Sequence, residues 1–374
     1  MPDMEVLSAQ ERLVLTLRKL YEGYGYTRFP MRRFEEYALY LENKSFLASE
    51  SVLSFTNANG KLMALKPDVT LSIVKRARAG VEGVEKLYYK ESVYRVSPTD
   101  HEFNEIEQIG VEYLGDIDRY GVCEVLSLAV RSLKLIGVPY ILDVSHMGFA
   151  GGLMSGAGLA PDQRKRVFLL IGQKNAHELK ALLKKWRVAP LYADRIALLP
   201  ELAGEVGGTL QRAADIAVGT EMKQAVSELS RLYAALKALG LAEQVRVDFS
   251  MLNDLDYYNG LVFQGYAEGA PRVVLSGGRY DNLMRKFGKA GGGLGFALYL
   301  DELARVLARP VEDDADALAL YKPEDDAAAV LGAVERLRDK GLRVLAARGL
   351  PDGVRAGRVL RFTGEGFEEV AEPC

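Results

Sequence analysis

Four separated segments of this chain concentrate polar and aromatic side chains that could recognise a small ligand. They are residues 65–70, 94–112, 253–260 and 277–281. Their carboxylates, threonine, glutamine and tyrosines supply the hydrogen-bond acceptors and donors that a polar ligand requires within a shaped cleft. The residue types therefore favour recognition of a small polar molecule by hydrogen bonding.

The sequence gives no support for metal or phosphate-loop chemistry. Cys123 and Cys374 form no CxxC pair, and they have no zinc-ligand spacing with His101, His146 or His177. No Gly-Lys-Ser/Thr follows glycines 291–295, which we expect at the start of a strand with close backbone approach. A single histidine after a strand, such as His146, is interpreted as structural. We expect no metal ion and no bound cofactor.

Composition narrows the class of protein. The chain has 374 residues, a net charge of −3 and two cysteines. A tRNA-binding surface usually carries a surplus of Lys and Arg, so tRNA binding is not expected. The low cysteine content, the absence of a signal-peptide pattern and the absence of a long apolar run indicate a cytosolic protein without a membrane span.

The local patterns predict elements of both kinds. Ser8 and Glu11 form a capping-box pattern that predicts a helix over residues 7–22. Residues 50–65 alternate around a turn at 57–60, which predicts a hairpin. Residues 272–275 are predicted to form a strand.

The order of these elements predicts an α+β fold with an antiparallel sheet flanked by helices. Residues 1–155 and 244–308 are assigned to the core, and 156–243 to a helical insertion rich in Ala, Leu, Lys, Glu and Arg. Residues 309–374 are predicted to form a reduced C-terminal α/β domain.

The four segments together resemble the histidyl-tRNA synthetases of class II. Residues 65–70 read LKPDVT and resemble the family's LRPEGT, while YR at 94–95 and QIGVE at 108–112 resemble motif 2. LDYYNG at 255–260 resembles the histidine-binding signature. GGRYD at 277–281 followed by GFA at 295–297 resembles the approach to motif 3. The matches occur in the family's order and imply a class II synthetase-like core over about residues 5–308.

The resemblance implies a histidine-like pocket. In the family an acid and a threonine of the first segment bind the amino group, and Asp68 and Thr70 occupy those places here, with Asp68 replacing a glutamate. The candidate ligand-binding residues are Asp68, Thr70, Arg95, Gln108, Glu112, Tyr257 and Tyr258. The alternative interpretation is that they persist as structural inheritance without a ligand.

The resemblance also exposes departures on the catalytic side. Asn253 stands where the family has an arginine before Leu-Asp-Tyr-Tyr, and Glu302 stands at the motif 3 arginine. The loop over residues 96–105 is short and acidic. Formation of an adenylate requires positive charge around the displaced phosphate, so we expect no catalytic residues for that reaction.

Inactive relatives of this kind include the regulatory subunits of ATP phosphoribosyltransferase, whose aspartate-to-histidine-glycine segment is similar to residues 143–148. This resemblance implies a partner, the short-form catalytic subunit that begins histidine biosynthesis, and feedback by histidine. It also implies a homodimer within a hetero-oligomer. Two alternatives stay open: an enzyme that activates histidine with ATP, and a stand-alone histidine-binding protein. Histidine could bind in the inherited pocket or at a subunit interface.

Overall fold

A computed structural model describes residues 7–43, 52–78, 83–96, 102–251, 257–307 and 313–370. Packing divides the chain into two compact units between Leu307 and Ala308.

The first unit contains twelve strands in the described residues. They are β1 Thr27–Arg28, β2 Phe34–Glu36, β3 Ser54–Thr56, β4 Leu62–Leu65, β5 Val84–Val96, β6 Phe103–Gly115, β7 Tyr140–His146, β8 Ala203–Gly204, β9 Val245–Asp248, β10 Leu261–Ala267, β11 Leu275–Arg279 and β12 Gly292–Tyr299. Nine of them form one sheet in the order β1-β5-β6-β12-β11-β10-β7-β9-β8, and β2-β4-β3 form a small second sheet. The large sheet is antiparallel except where β1 pairs with β5 and β7 pairs with β9.

Twelve helices accompany these strands in the described part of the first unit. They are α1 Ala9–Gly23, α2 Tyr37–Glu42, α3 Val69–Arg76, α4 Arg119–Lys134, α5 Met147–Gly156, α6 Pro161–Gly172, α7 Ala176–Lys185, α8 Pro190–Leu198, α9 Val206–Ile216, α10 Gly219–Ala238, α11 Asp281–Lys286 and α12 Leu300–Leu307. A short 3-10 turn, Leu199–Glu201, follows α8.

The main hydrophobic core joins the sheet to several helices. Leu17 of α1, Val125 of α4 and Phe149 of α5 are fully buried in the same cluster as Leu261 of β10. Buried side chains of α6–α10, including Leu170, extend this cluster. The packing places these helices within the first unit and does not separate them from it. A helical insertion domain over residues 156–243 therefore stays a prediction.

Local signals near the N-terminus are confirmed. The Ser8 backbone N–H donates to Glu11 Oε2 at 2.8 Å, and the Glu11 N–H donates to Ser8 Oγ at 3.2 Å, which closes the capping box of α1. The predicted hairpin forms as β3 and β4, with Ser54 opposite Ala64.

The prediction of a strand over residues 272–275 was wrong, because β11 begins at Leu275 and continues through two glycines to Arg279. Glycine is usually unfavourable in a strand. Here a Cβ at Gly277 would lie 2.5 Å from the Gly295 carbonyl oxygen, so close packing requires glycine. The predicted close approach before β12 is confirmed, since a Cβ at Gly291 would lie 2.4 Å from the Gly115 carbonyl oxygen.

The second unit is a small α/β arrangement, as the sequence predicts. Its elements are β13 Ala317–Leu320, α13 Ala327–Arg338, β14 Val344–Ala347, β15 Val359–Phe362 and β16 Phe367–Glu369. The strand order is β14-β13-β15-β16, with only β15–β16 antiparallel. Val330 and Ala333 of α13 pack with Phe362 in a small core.

Candidate functional site

A cavity of about 350 Å³ opens over the central strands of the large sheet. Its lining includes all of the predicted ligand-binding residues, namely Asp68, Thr70, Arg95, Gln108, Glu112, Tyr257 and Tyr258. The structure therefore brings together side chains that are up to 190 positions apart, from Asp68 to Tyr258. We call this cavity the pocket. Tyr89, Ser276, Tyr280 and Tyr299 also line it and were not predicted.

Strand register explains why these side chains meet. Glu112 on β6 lies opposite Gly295 on β12, and Gly295 lies opposite Gly278 on β11, so all three share one face of the sheet. A Cβ at Gly295 would lie 1.8 Å from Glu112 Oε2, and a Cβ at Gly278 would lie 2.6 Å from the Tyr258 ring. The glycines leave the space that the polar and aromatic side chains occupy.

Glu112 is the central carboxylate of the pocket and is only 2% exposed. Its Oε1 accepts a hydrogen bond from Thr70 Oγ1 at 2.7 Å, and its Oε2 accepts one from the Tyr280 hydroxyl. Burial raises the pKa of Glu112 to about 8, although both hydrogen bonds act in the opposite direction. A bound cation would favour the ionised form of this carboxylate.

Asp68 provides a second carboxylate at the start of α3. Its Oδ1 accepts from the Leu71 backbone N–H at 2.7 Å and so caps the helix. Its Oδ2 lies 3.9 Å from Arg95 Nη2, and the Arg95 Nε donates to the Pro67 carbonyl at 2.8 Å. Burial raises the pKa of Asp68, while Arg95 opposes this change. The Arg95 guanidinium thus lies beside one carboxylate and lines the same cavity as a second, Glu112, which suits a ligand that carries both charges.

Aromatic side chains form the walls. The Tyr257 and Tyr258 ring centroids are 4.6 Å apart, and the Tyr257 and Tyr280 centroids are 6.1 Å apart. Gln108 is 4% exposed and supplies an amide to the same lining. Tyrosine faces and an amide can hold a planar polar heterocycle through stacking and hydrogen bonds. The pocket can therefore bind a small zwitterion with a planar ring.

The three departures predicted on the catalytic side have different outcomes. Asn253 lies outside the described residues, as do residues 97–101 of the acidic loop. Glu302 lies on α12, where its Oε1 is 3.5 Å from Arg272 Nη1. Glu302 is not among the described residues that line the pocket.

Three further observations concern His146, metal ligation and membrane spans. His146 caps α5, with Nδ1 accepting from the Gly148 N–H at 3.1 Å and Nε2 3.3 Å from Glu228 Oε2, which fits a structural role. Across the described ranges, no cluster of three His, Cys, Asp or Glu residues could hold a metal ion. No helix in the described part of the chain is both long and apolar enough to cross a bilayer.

A family model described as histidyl-tRNA synthetase matches residues 4–303. Similar curated proteins are ATP phosphoribosyltransferase regulatory subunits. The one from Oceanobacillus iheyensis is 27% identical, with 89% of this chain and 83% of that one covered. The one from Syntrophotalea carbinolica is 32% identical, with 81% and 73% covered. The one from Desulforamulus reducens is 29% identical, with 98% and 96% covered.

Solved structures share the fold. An ATP phosphoribosyltransferase regulatory subunit/histidyl-tRNA synthetase from Bacillus halodurans is 23% identical, covers 92% of this chain and 90% of its own, and has a TM-score of 0.74. Histidyl-tRNA synthetase from a Nostoc species is 18% identical, with 92% and 83% covered and a TM-score of 0.70. A chain of the ATP phosphoribosyl transferase (HisG:HisZ) complex from Thermotoga maritima is 19% identical, with 78% and 97% covered and a TM-score of 0.62.

These likenesses confirm the predicted class II synthetase-like α+β fold. The family model covers most of the chain, and a relative more than 30% identical extends over most of both sequences. The chain belongs to the histidyl-tRNA synthetase family and, within it, to the ATP phosphoribosyltransferase regulatory subunits.

Proposed function

We propose that this chain is the non-catalytic regulatory subunit of an ATP phosphoribosyltransferase and that it binds histidine in the pocket. The observation that carries the proposal is the charge pattern of the lining, in which Arg95 lies 3.9 Å from Asp68 and shares one cavity with the buried Glu112. A free amino acid carries both charges, so it matches this pattern. The names of the curated relatives support the same assignment.

The chemistry of the lining suggests how histidine is held. The α-amino group is directed to Asp68, Glu112 and Thr70, and the carboxylate is directed to Arg95. The imidazole lies among the tyrosines, where Gln108 is available as a hydrogen-bond partner. Hydrogen bonds to charged groups typically contribute about 1.5–3 kcal/mol each, so a few of them suffice for selective binding.

The proposal includes the absence of histidine activation. Arg95 is the one arginine among the described lining residues. Asn253 is neutral and Glu302 is acidic at two positions where the resemblance places arginines. Removal of one preorganised electrostatic stabiliser typically lowers the rate by about 10²–10³-fold, so two such losses leave little adenylate formation. ATP and the phosphoribosyl donor are then substrates of the partner.

The proposed partner is a short-form catalytic subunit that depends on this chain for activity. We propose that the chain forms a homodimer within a hetero-oligomer with that subunit. The fold shared with a chain of the Thermotoga maritima complex supports such an assembly. Feedback requires a coupling of about 1–3 kcal/mol between the pocket and the partner interface.

A reconstituted assay tests this function. The chain is mixed with a purified short-form catalytic subunit, and phosphoribosyl transfer is followed with and without histidine. We expect activation by the chain, inhibition by histidine, and loss of inhibition but not of activation in Glu112→Gln. Glu22→Gln is the matched control, because Glu22 also accepts a tyrosine hydroxyl, from Tyr88 at 2.6 Å, outside the pocket.

Three results would each contradict part of the proposal. Failure of the chain to activate the catalytic subunit would favour a stand-alone histidine-binding protein. Robust exchange of pyrophosphate into ATP in the presence of histidine and the pure chain would favour a synthetase. If histidine inhibits Glu112→Gln as strongly as wild type, the feedback site lies elsewhere, such as a subunit interface.

A further inference from the structure

A second cavity, of about 270 Å³, lies among the start of α4, the middle of α10 and the end of β11. Neighbouring residues of a strand point to opposite faces, so Arg279 lies on the other face of the sheet from Gly278, which shares the face of Glu112. We call this space the arginine cavity. Its polar lining consists of Asp118, Arg119, Cys123, Glu228, Arg231 and Arg279.

The acids of the arginine cavity already have partners. Asp118 Oδ1 accepts from the Gly121 N–H at 2.8 Å and caps α4. Glu228 Oε2 is 3.3 Å from His146 Nε2. Arg279 is also engaged, since its Nε donates to the carboxylate of Asp281.

Two guanidinium groups of the arginine cavity have fewer hydrogen-bond partners. Arg231 donates through Nε to the Ser227 carbonyl at 3.2 Å, and its terminal nitrogens make no hydrogen bond with another described residue. The His146 hydrogen bond lowers the pKa of Glu228 most, and the charge of Arg231 adds to this effect. Arg119 makes no hydrogen bond or ion pair with any residue in the described ranges. Both line the cavity at the amino end of α4, a helix of 16 residues, where the helix dipole also favours negative charge.

We propose that the arginine cavity binds a small polyanion bearing phosphate or carboxylate groups, and that this binding is coupled to the pocket. Arginine forks match the geometry of both kinds of oxyanion. A cavity with two available guanidinium groups at the start of a helix fits an anionic ligand better than a neutral ligand.

The coupling follows from the short segment that connects the two spaces. Arg279 lines the arginine cavity, and the next residue, Tyr280, donates to Glu112 in the pocket. The Asn259 N–H donates to the Arg279 carbonyl at 3.0 Å, and the Asp281 N–H donates to Asn259 Oδ1 at 2.8 Å. Asn259 follows Tyr258 of the pocket wall. A ligand held by Arg119 and Arg231 that also contacts Arg279 therefore acts on two residues of the pocket, Tyr258 and Tyr280. This coupling rests on the proposed histidine site, whereas anion binding does not.

Cys123 gives a direct readout of occupancy, because it is a free cysteine in the cavity lining. In a Cys374→Ser background, alkylation of Cys123 by iodoacetamide is timed by mass spectrometry at pH 8.5, since burial raises the pKa of the Cys123 thiol. Pyrophosphate and citrate are the probes, and sodium chloride at equal ionic strength is the control. We expect at least one probe to slow alkylation fivefold or more.

The double variant Arg119→Gln/Arg231→Gln is expected to lose this protection, while Arg166→Gln, an exposed arginine paired with Glu178, keeps it. Protection by pyrophosphate alone identifies phosphate groups, and protection by citrate alone identifies carboxylates. Lack of protection by both probes, or equal protection in the double variant, overturns the proposed site.

Coupling is measured by titrating histidine with and without the protective anion. We expect a change of threefold or more in the histidine Kd of wild type and none in Arg119→Gln/Arg231→Gln. Anion binding without any change in histidine affinity overturns the coupling. If wild type binds no histidine at all, the proposed function fails, and the alkylation result still decides the anion site.

Discussion

Two glutamates at positions that the family resemblance singles out lie in opposite environments. Glu112 is 2% exposed and accepts hydrogen bonds from Thr70 and Tyr280. The Glu302 side chain is 25% exposed and lies 3.5 Å from Arg272, whose own side chain is 79% exposed. Charge interactions are strong where water is excluded and weak where it is present. The comparison teaches that the buried Glu112 carboxylate can affect ligand binding and stability directly. The change at Glu302 matters mainly because an arginine is missing at that position.

The largest predicted effect comes from removing the space that Glu112 occupies. In Gly295→Ala the new Cβ would lie 1.8 Å from Glu112 Oε2 and 2.4 Å from the Val111 carbonyl oxygen. We expect loss of detectable histidine binding and a decrease of about 1–3 kcal/mol in the free energy of unfolding. Calorimetry and urea denaturation measure both quantities.

Gly172→Ala is the matched control for that variant, because nothing lies within 4 Å of its Cβ position. It should keep histidine affinity and leave stability unchanged or slightly raised. Normal histidine binding by Gly295→Ala would show that the glycine is not needed to position Glu112.

The second prediction concerns the pH dependence of binding. Burial raises the pKa of Glu112 to about 8, and a cationic amino group requires the ionised carboxylate. Histidine affinity should therefore rise with pH below 8, by up to about tenfold per unit, and level off near pH 8. Titrations between pH 6 and 8.5 measure the slope. Glu112→Gln should reduce it, and an equal slope in that variant would assign the dependence to another group.

The third prediction concerns the stability of the free protein. The folded-state pKa of Glu112 lies above its ordinary value of 4.5. Its contribution to the free energy of unfolding is therefore complete below pH 4.5 and is lost as pH rises through about 8. The free energy of unfolding should fall over this window by at most about 1.4 kcal/mol per pH unit from this group. Denaturation at several pH values should show a smaller slope for Glu112→Gln. An unchanged slope would contradict strong burial of this carboxyl.

The smallest effects are expected at Glu302. An exposed ion pair contributes about 0–1 kcal/mol, so Arg272→Ala and Glu302→Gln should each change stability by less than about 0.5 kcal/mol. Neither variant should alter the histidine Kd, because neither residue is among the described pocket lining. A tenfold change in histidine affinity in either variant would contradict the claim that Glu112 affects histidine binding and Glu302 does not.

Local patterns predicted much of the fold. The capping box of α1 and the hairpin of β3 and β4 depend on residues close in sequence, so both were predictable. The limits of β11 were not, because its glycines are unfavourable for a strand by themselves and are required only by contacts with distant residues such as Gly295. Tertiary packing therefore outweighed local preference at that strand.

The pocket also has members that the sequence predicts and members that only the tertiary structure reveals. Its predicted members came from motifs in a recognisable order, and all of them line one cavity. Tyr89 and Tyr299 were missed because only sheet register places them there, with Tyr89 opposite Gly110 and Tyr299 opposite Gln108. The arginine cavity could not be predicted either, because Arg119 and Arg231 are 112 positions apart in separate helices.

Calorimetric titration of histidine into the full chain at pH 8 tests the central claim most directly. We expect one site per chain in wild type, unchanged affinity in Glu22→Gln, and a loss of about 10- to 100-fold in Glu112→Gln, in line with a hydrogen bond to a charged group. The absence of histidine binding by wild type, or equal affinities in wild type and Glu112→Gln, would contradict histidine recognition by this pocket.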